Sequence, residues 1–153
     1  ITTAEMVGGR LATRSYFDGQ GDRAVNWPAG ALAEDGLPAS LRDYVTGRAP
    51  AALTVFPSLL AGRLPELKPA TYQVERREVP AAEAPGGKAP GVEIRLTNGP
   101  SVLAYTFDRE PPYRLLRFER EDGTAYRLAK CERIPYWQMS RPGDEAWLPP
   151  RVR

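Results

Sequence analysis

The chain has 153 residues, 42% of them hydrophobic and 26% charged, an ordinary composition for one globular domain that can bury a core without metal or disulfide staples. It holds no histidine and a single cysteine, Cys131, which excludes Ser-His-Asp and Cys-His catalysis, His-ligated metals, an imidazole pH switch and any intramolecular disulfide. The formal net charge of +2 gives no bulk electrostatic argument for a nucleic-acid partner.

In chain order, Arg10 to Phe17 predicts a strand, Asp18-Gly19-Gln20-Gly21 a turn, and Asp22 to Trp27 the returning strand, stopped by Pro28. One short helix is expected from Pro38 to Val45. Pro38 suits a first helical turn, Leu37, Leu41, Tyr44 and Val45 share one face, and Gly47 marks a stop. Two turns are not stable alone, so Leu41 and Tyr44 must pack on a sheet. Ala51 to Leu60 reads as a buried strand and Thr71 to Val79 as an alternating one with a wet outer face. The Ala-Pro-Gly-Gly-Lys stretch between Pro80 and Pro90 predicts a loop.

The last third alternates most clearly. Val92, Ile94 and Leu96 run into Asn98-Gly99, a strong hairpin signal, and Val102 to Phe107 returns. Pro100 lacks an N–H, which predicts a turn longer than two residues. A second hairpin is expected from Tyr113 to Ile134 around Asp122-Gly123, with Phe118 opposite Arg127 and Glu119 opposite Tyr126. The sum is an all-β fold: a single domain over residues 1–153 forming an antiparallel meander sheet or half-barrel of about seven or eight strands with one short helix. The start at Ile1, without Met, gives the expectation of a longer or processed chain.

Candidate chemistry is sparse. Asp18 and Asp22 on a Gly-rich turn resemble a small calcium loop, but the remaining oxygen ligands are missing and the same residues make an ordinary hairpin turn. Glu119, Glu121, Asp122 and Glu132 interleave with Arg117, Arg120, Arg127 and Arg133, the pattern of a solvated, ion-paired face. Cys131 has basic neighbours but no base partner, and no serine elbow, phosphate loop or dinucleotide fingerprint occurs. The expectation is therefore no catalytic residue, no metal site and no cofactor. The remaining constellation is the tail, where Tyr136, Trp137, Met139 and Trp147 lie among prolines. Such residues are enriched in binding surfaces, and they equally suit a plug over the open end of the sheet's own core.

A series of short motifs completes the reading: Ser15-Tyr16-Phe17, Gly21-Asp22, Leu37-Pro38, Pro57-Ser58 and Arg63-Leu64, then Pro112-Tyr113, the charged hairpin from Glu119 to Gly123, and Pro135-Tyr136-Trp137. This order resembles the C-terminal half of bacterial exported proteins often labelled septum formation inhibitor Maf, themselves similar to LolA-type half-barrels of the cell envelope. The resemblance implies β-architecture and an extracytoplasmic location, peripheral to the membrane. It implies no reaction, because the Ser-x-Ser-Pro-Arg-Arg motif of the Maf nucleotide pyrophosphatases is missing. The function expected is a non-catalytic docking or accessory subunit of a membrane-associated protein complex, binding its protein partner through Tyr136, Trp137, Met139 and Trp147. The alternative is a periplasmic carrier of a lipid or other hydrophobic ligand in the concave face. No nucleic-acid partner and no transmembrane span are expected.

Overall fold

The computed structural model describes residues 2–17, 21–60, 66–133, 137 and 142–143. Ten strands are present among them, in two sheets. The first sheet is small: β1 (Thr2–Val7), β2 (Arg10–Ser15) and β3 (Arg23–Asn26) in sequential antiparallel order. Gly8 and Gly9, both at positive φ, turn β1 into β2. The second sheet is a curled, seven-stranded half-barrel. It runs β10-β9-β8-β7-β6-β5-β4, with β4 Leu32–Ala33, β5 Ala52–Phe56, β6 Ala70–Ala84, β7 Gly87–Asn98, β8 Ser101–Asp108, β9 Leu115–Arg120 and β10 Ala125–Arg127. Every pairing is antiparallel except the two-residue contact of β4 with β5. The mainly β, half-barrel architecture expected from alternation is the one found, with the small sheet as an addition.

Alternation determines which side chains face inward. Val92, Ile94 and Leu96 on β7 stand opposite Phe107, Tyr105 and Leu103 on β8, and all six are at most 2% exposed. Leu53 and Val55 extend this apolar face across β5. The cover is the short helical segment, split into α1 (Leu37–Ser40) and α2 (Asp43–Thr46) after a 3-10 turn at Glu34–Gly36. Leu37, Leu41 and Val45, spaced by four, enter the core, with Tyr44 packed beside them. Each fully buried side chain of this kind contributes about 1.5–3 kcal/mol, which a pair of isolated turns could never supply by propensity. Arg76, on the inward phase of β6, secures the end of the cover: its Nε donates to the Tyr44 carbonyl at 3.1 Å and its Nη2 to the Val45 carbonyl at 2.8 Å.

The convex face is a charge lattice. Glu93, 5% exposed, accepts from Arg77 across the ladder at 2.9 Å and from Arg95 on its own strand at 3.0 Å. Arg117 pairs with Glu119 at 2.6 Å, and Arg127 reaches Glu83 at 3.0 Å. Arg127 stands directly opposite Arg117, a like-charge pair whose repulsion Glu83 and Glu119 offset. At the other end, Trp27 stacks on Phe56 with ring centroids 4.3 Å apart, tying the loop after β3 to β5.

Three local expectations change. The stretch from Pro80 to Pro90 is not a loop but the tip of the β6–β7 hairpin, turning at Pro85-Gly86; Pro80 is tolerated because the register shifts between Val79 and Ala82, a bulge that needs no ladder N–H there. The Asn98 turn has two residues, Gly99 and Pro100, since Asn98 pairs with Ser101. Pro100 costs nothing because the N–H that closes such a turn belongs to the residue after it. The third change, the register of β9 with β10, is treated below.

Gly91 sits where β6, β7 and β8 crowd together. A Cβ built there would meet the Ala82 Cβ and the Phe107 carbonyl oxygen, each at 2.9 Å. Gly91→Ala is expected to cost about 1–3 kcal/mol by overpacking, read as a lower urea midpoint with an unchanged slope. An unchanged midpoint would show that the bulge relaxes freely.

Candidate functional site

At the end of the half-barrel formed by β8, β9 and β10 the helical segment contributes only its first residues, Glu34, Asp35 and Pro38, and the chemistry follows from one turn. Gly123, at φ +84°, donates to the Arg120 carbonyl at 3.2 Å, and Arg120 N–H donates to the Thr124 carbonyl at 2.9 Å. The loop therefore has three residues, Glu121-Asp122-Gly123, with glycine in the left-handed position that such hairpins require. The sequence reading placed the turn on Asp122-Gly123 alone. The extra residue moves the register by one: Tyr126 pairs with Phe118 and Arg127 with Arg117, instead of Arg127 with Phe118. A one-residue shift exchanges the two faces of a strand. Here it delivers Tyr126, not Arg127, to the concave side.

The result is a row of three aromatic rings across three strands. Tyr105 on β8 and Phe118 on β9 have centroids 4.7 Å apart, and Phe118 and Tyr126 lie 6.0 Å apart with planes 15° from parallel. Contacts of this kind contribute about 0.5–1.5 kcal/mol each beyond their buried area. The row runs from the core to solvent: Tyr105 is 2% exposed and Tyr126 67%. Burial pushes the Tyr105 phenol well above its ordinary pKa, so its hydroxyl stays protonated. The Arg120 guanidinium lies 5.7 Å from the centre of the Phe118 ring and pairs with Glu34 of the 3-10 turn.

These rings form one wall of an open cleft of about 470 Å³, with Pro38 and Leu115 completing its apolar side. Its rim is polar and largely spoken for. Asp35 accepts from the Ser58 hydroxyl at 2.6 Å and from the Leu59 and Leu60 amides at 2.6 and 3.3 Å. Asp122 accepts from the Thr124 amide at 2.8 Å. Three carboxylates, Glu34, Asp35 and Asp122, thus line the cleft against one guanidinium, Arg120. A second open groove, about 770 Å³, lies at Tyr44, Arg48, Pro50, Val74 and Arg76 and has no comparable run of aromatics.

Of the tail residues expected to bind a partner, Trp137 is described and is 71% exposed. Tyr136, Met139 and Trp147 lie outside the described residues, as do Asp18 and the centre of its turn; Asp22 is exposed. Cys131 is exposed and lies beyond the last strand. The acidic group around the last hairpin is dispersed: Glu119 pairs with Arg117 on its own strand and Glu132 with Lys130, while Glu121 accepts from the Val102 amide and Asp122 from its own turn rather than from the interleaved arginines. Sequence reasoning missed Tyr105, Phe118 and Tyr126 as a group. The signal was present in the alternation of Tyr105 with Leu103 and Phe107, but the assumed two-residue turn concealed it.

The chain matches no protein-family model, no curated protein and no solved structure. No helix among the described residues is long and apolar enough to cross a membrane.

Three carboxylates are held below the usual range: Glu83 by its hydrogen bond to Arg127, Glu121 by its own backbone amide and that of Val102, and Asp122 by Thr124. A depressed folded-state pKa stabilises the fold above the unfolded value and loses that contribution as pH falls through the folded one. Thermal midpoints are therefore expected to hold steady above about pH 5 and to decline below about pH 4. Asp122→Asn, which keeps an acceptor for Thr124 but removes the charge, should make that decline shallower. An equally steep decline in the variant would show that Asp122 contributes nothing through its ionisation.

Proposed function

We propose that this protein is a non-catalytic docking module, an accessory subunit that attaches to a protein partner of a membrane-associated complex through the aromatic end of its half-barrel. The observation that carries the reading is a division of labour within one sheet. The middle of the concave face is filled by the protein's own Leu37, Leu41 and Val45, while at the β9–β10 end the Tyr126 ring, stacked beside Phe118, is 67% exposed. Exposed rings backed by a packed core are pre-organised: their ordering cost is already met by folding, so contact area converts more fully into affinity. The carboxylates of the same region, tied to arginines and backbone amides, suit recognition better than proton transfer, which calls for pKa values shifted the other way. The resemblance to exported proteins supports an extracytoplasmic location.

The carrier reading draws less support, because the helical segment occupies the part of the concave face that an acyl chain would need. The two readings separate on the tryptophans. Under docking, replacing Trp137 and Trp147 together with Ala leaves the urea midpoint close to that of the parent but releases the protein from its membrane complex. If these rings instead close a ligand cavity or the core, the same double variant loses about 3–5 kcal/mol of stability. A double variant that unfolds, or one that stays bound as tightly as the parent, would overturn the docking assignment. A photoreactive residue at position 126 should likewise cross-link the partner in native membranes, and one at Glu75 on the convex face should not.

A further inference from the structure

We propose that the cleft at Tyr105, Phe118 and Tyr126 is a receptor for a proline-rich, arginine-bearing segment of the partner protein, bound as an extended polyproline-type helix. The inference rests on the docking reading and names its chemistry. Pro-rich segments dock on shallow, aromatic-lined grooves because they arrive already extended, so little conformational freedom is lost on binding. This cleft offers such a surface: Phe118 and Tyr126 lie 6.0 Å apart with planes 15° from parallel and, with Tyr105, make a continuous aromatic run across three strands. Pro38 and Leu115 extend the apolar wall.

The rim selects the charge of the ligand. Glu34, Asp35 and Asp122 against Arg120 leave the lining net negative, and Asp122, which accepts from Thr124, retains lone pairs for a guanidinium. A nucleic acid or an anionic lipid headgroup meets repulsion at the same place. A saccharide, which also stacks on aromatic rings, needs unengaged donors and acceptors around the ring. Here Arg120 is committed to Glu34, and Asp35 to Ser58 and two backbone amides, which leaves Asp122 as a single open acceptor where a sugar ring needs several. A proline segment asks for apolar contact along its length and for charge at its flanks, and that is what remains on offer.

The probe is a synthetic, end-capped peptide of sequence RPLPPRPPR, titrated into the full chain and followed by calorimetry and by Tyr and Trp fluorescence. Saturable binding is expected at low salt, weakening as salt rises. Tyr126 is an exposed edge-strand residue with one ring contact, so Tyr126→Ala should stay folded with only a small drop in urea midpoint and bind at least tenfold more weakly, with Tyr126→Phe restoring most of the affinity. Asp122→Asn should weaken the arginine peptide severalfold while leaving a version with glutamine in place of arginine unaffected. Equal binding by Tyr126→Ala, equal binding of a peptide with alanine in place of proline, or displacement of the peptide by a chito-oligosaccharide would each overturn the proposal. So would self-association of the chain that Tyr126→Ala abolishes, which would make a second copy the occupant. Failure of the peptide while position 126 still cross-links a membrane partner would remove this ligand class and leave the docking reading standing.

Discussion

A curled antiparallel sheet with one apolar face must have that face covered, and the rest of this structure follows from how little chain is available to do it. Two helical turns supply the cover, through Leu37, Leu41 and Val45 against the rows Val92-Ile94-Leu96 and Leu103-Tyr105-Phe107. The fit depends on phase: spacing by four on a helix and by two on a strand brings apolar side chains into the same layer. Arg76 then fixes the end of the helical segment by donating to the Tyr44 and Val45 carbonyls. It carries a charge into the inward phase of β6, but that charge is used on unsatisfied helix-end carbonyls and on Glu78, so its burial is compensated. A cover this short leaves the β9–β10 end to its own aromatics.

How those aromatics meet shows the difference between what composition fixes and what geometry fixes. The strands around Val92 and Val102 were legible because strict alternation has one interpretation when a single face is buried. The helix was legible from Pro38, Leu41 and Val45, although the break at Leu41–Arg42 was not. Turn length was the weak point. Asn98-Gly99-Pro100 and Asp122-Gly123 invited errors in opposite directions: at the first the missing N–H of Pro100 suggested too long a turn, and at the second a Gly at positive φ serves both two- and three-residue loops. At Gly99 the consequence was confined to the turn. At Gly123 it exchanged Tyr126 for Arg127 on the concave face, and with it the character of the candidate site.

The small sheet was half legible for a related reason. Gly8-Gly9 between Met6-Val7 and Arg10-Leu11 is a hairpin signal, but β1 is exposed along its described side chains and shows no clean apolar period. Its pairing is specified by the turn rather than by burial. Likewise the Pro-Gly-Gly stretch after Glu83 carries loop chemistry in its composition, yet the ladder runs up to it because the register shift between Val79 and Ala82 leaves Pro80 and Pro90 outside the paired positions. In both places backbone pairing decided the structure where side-chain pattern was silent.

The electrostatics of the cleft bear on how a partner would find it. The hydroxyl and amide of Thr124 hold the Asp122 carboxyl below the usual carboxylate range. It also sits on the turn that positions Tyr126, four residues along the chain. One short loop thus sets both the ring that contributes contact area and the charge beside it. Rim charges act chiefly on association rate and on discrimination between partners, while buried or half-buried rings act on dissociation. The two functions are mechanically linked here, because any change that lengthened or shortened the Glu121-Asp122-Gly123 loop by one residue would turn Tyr126 away from Phe118. Such a change would carry Arg127 into a cleft already occupied by Arg120. The loop length, more than any single side chain, is therefore the feature on which the arrangement of this surface rests.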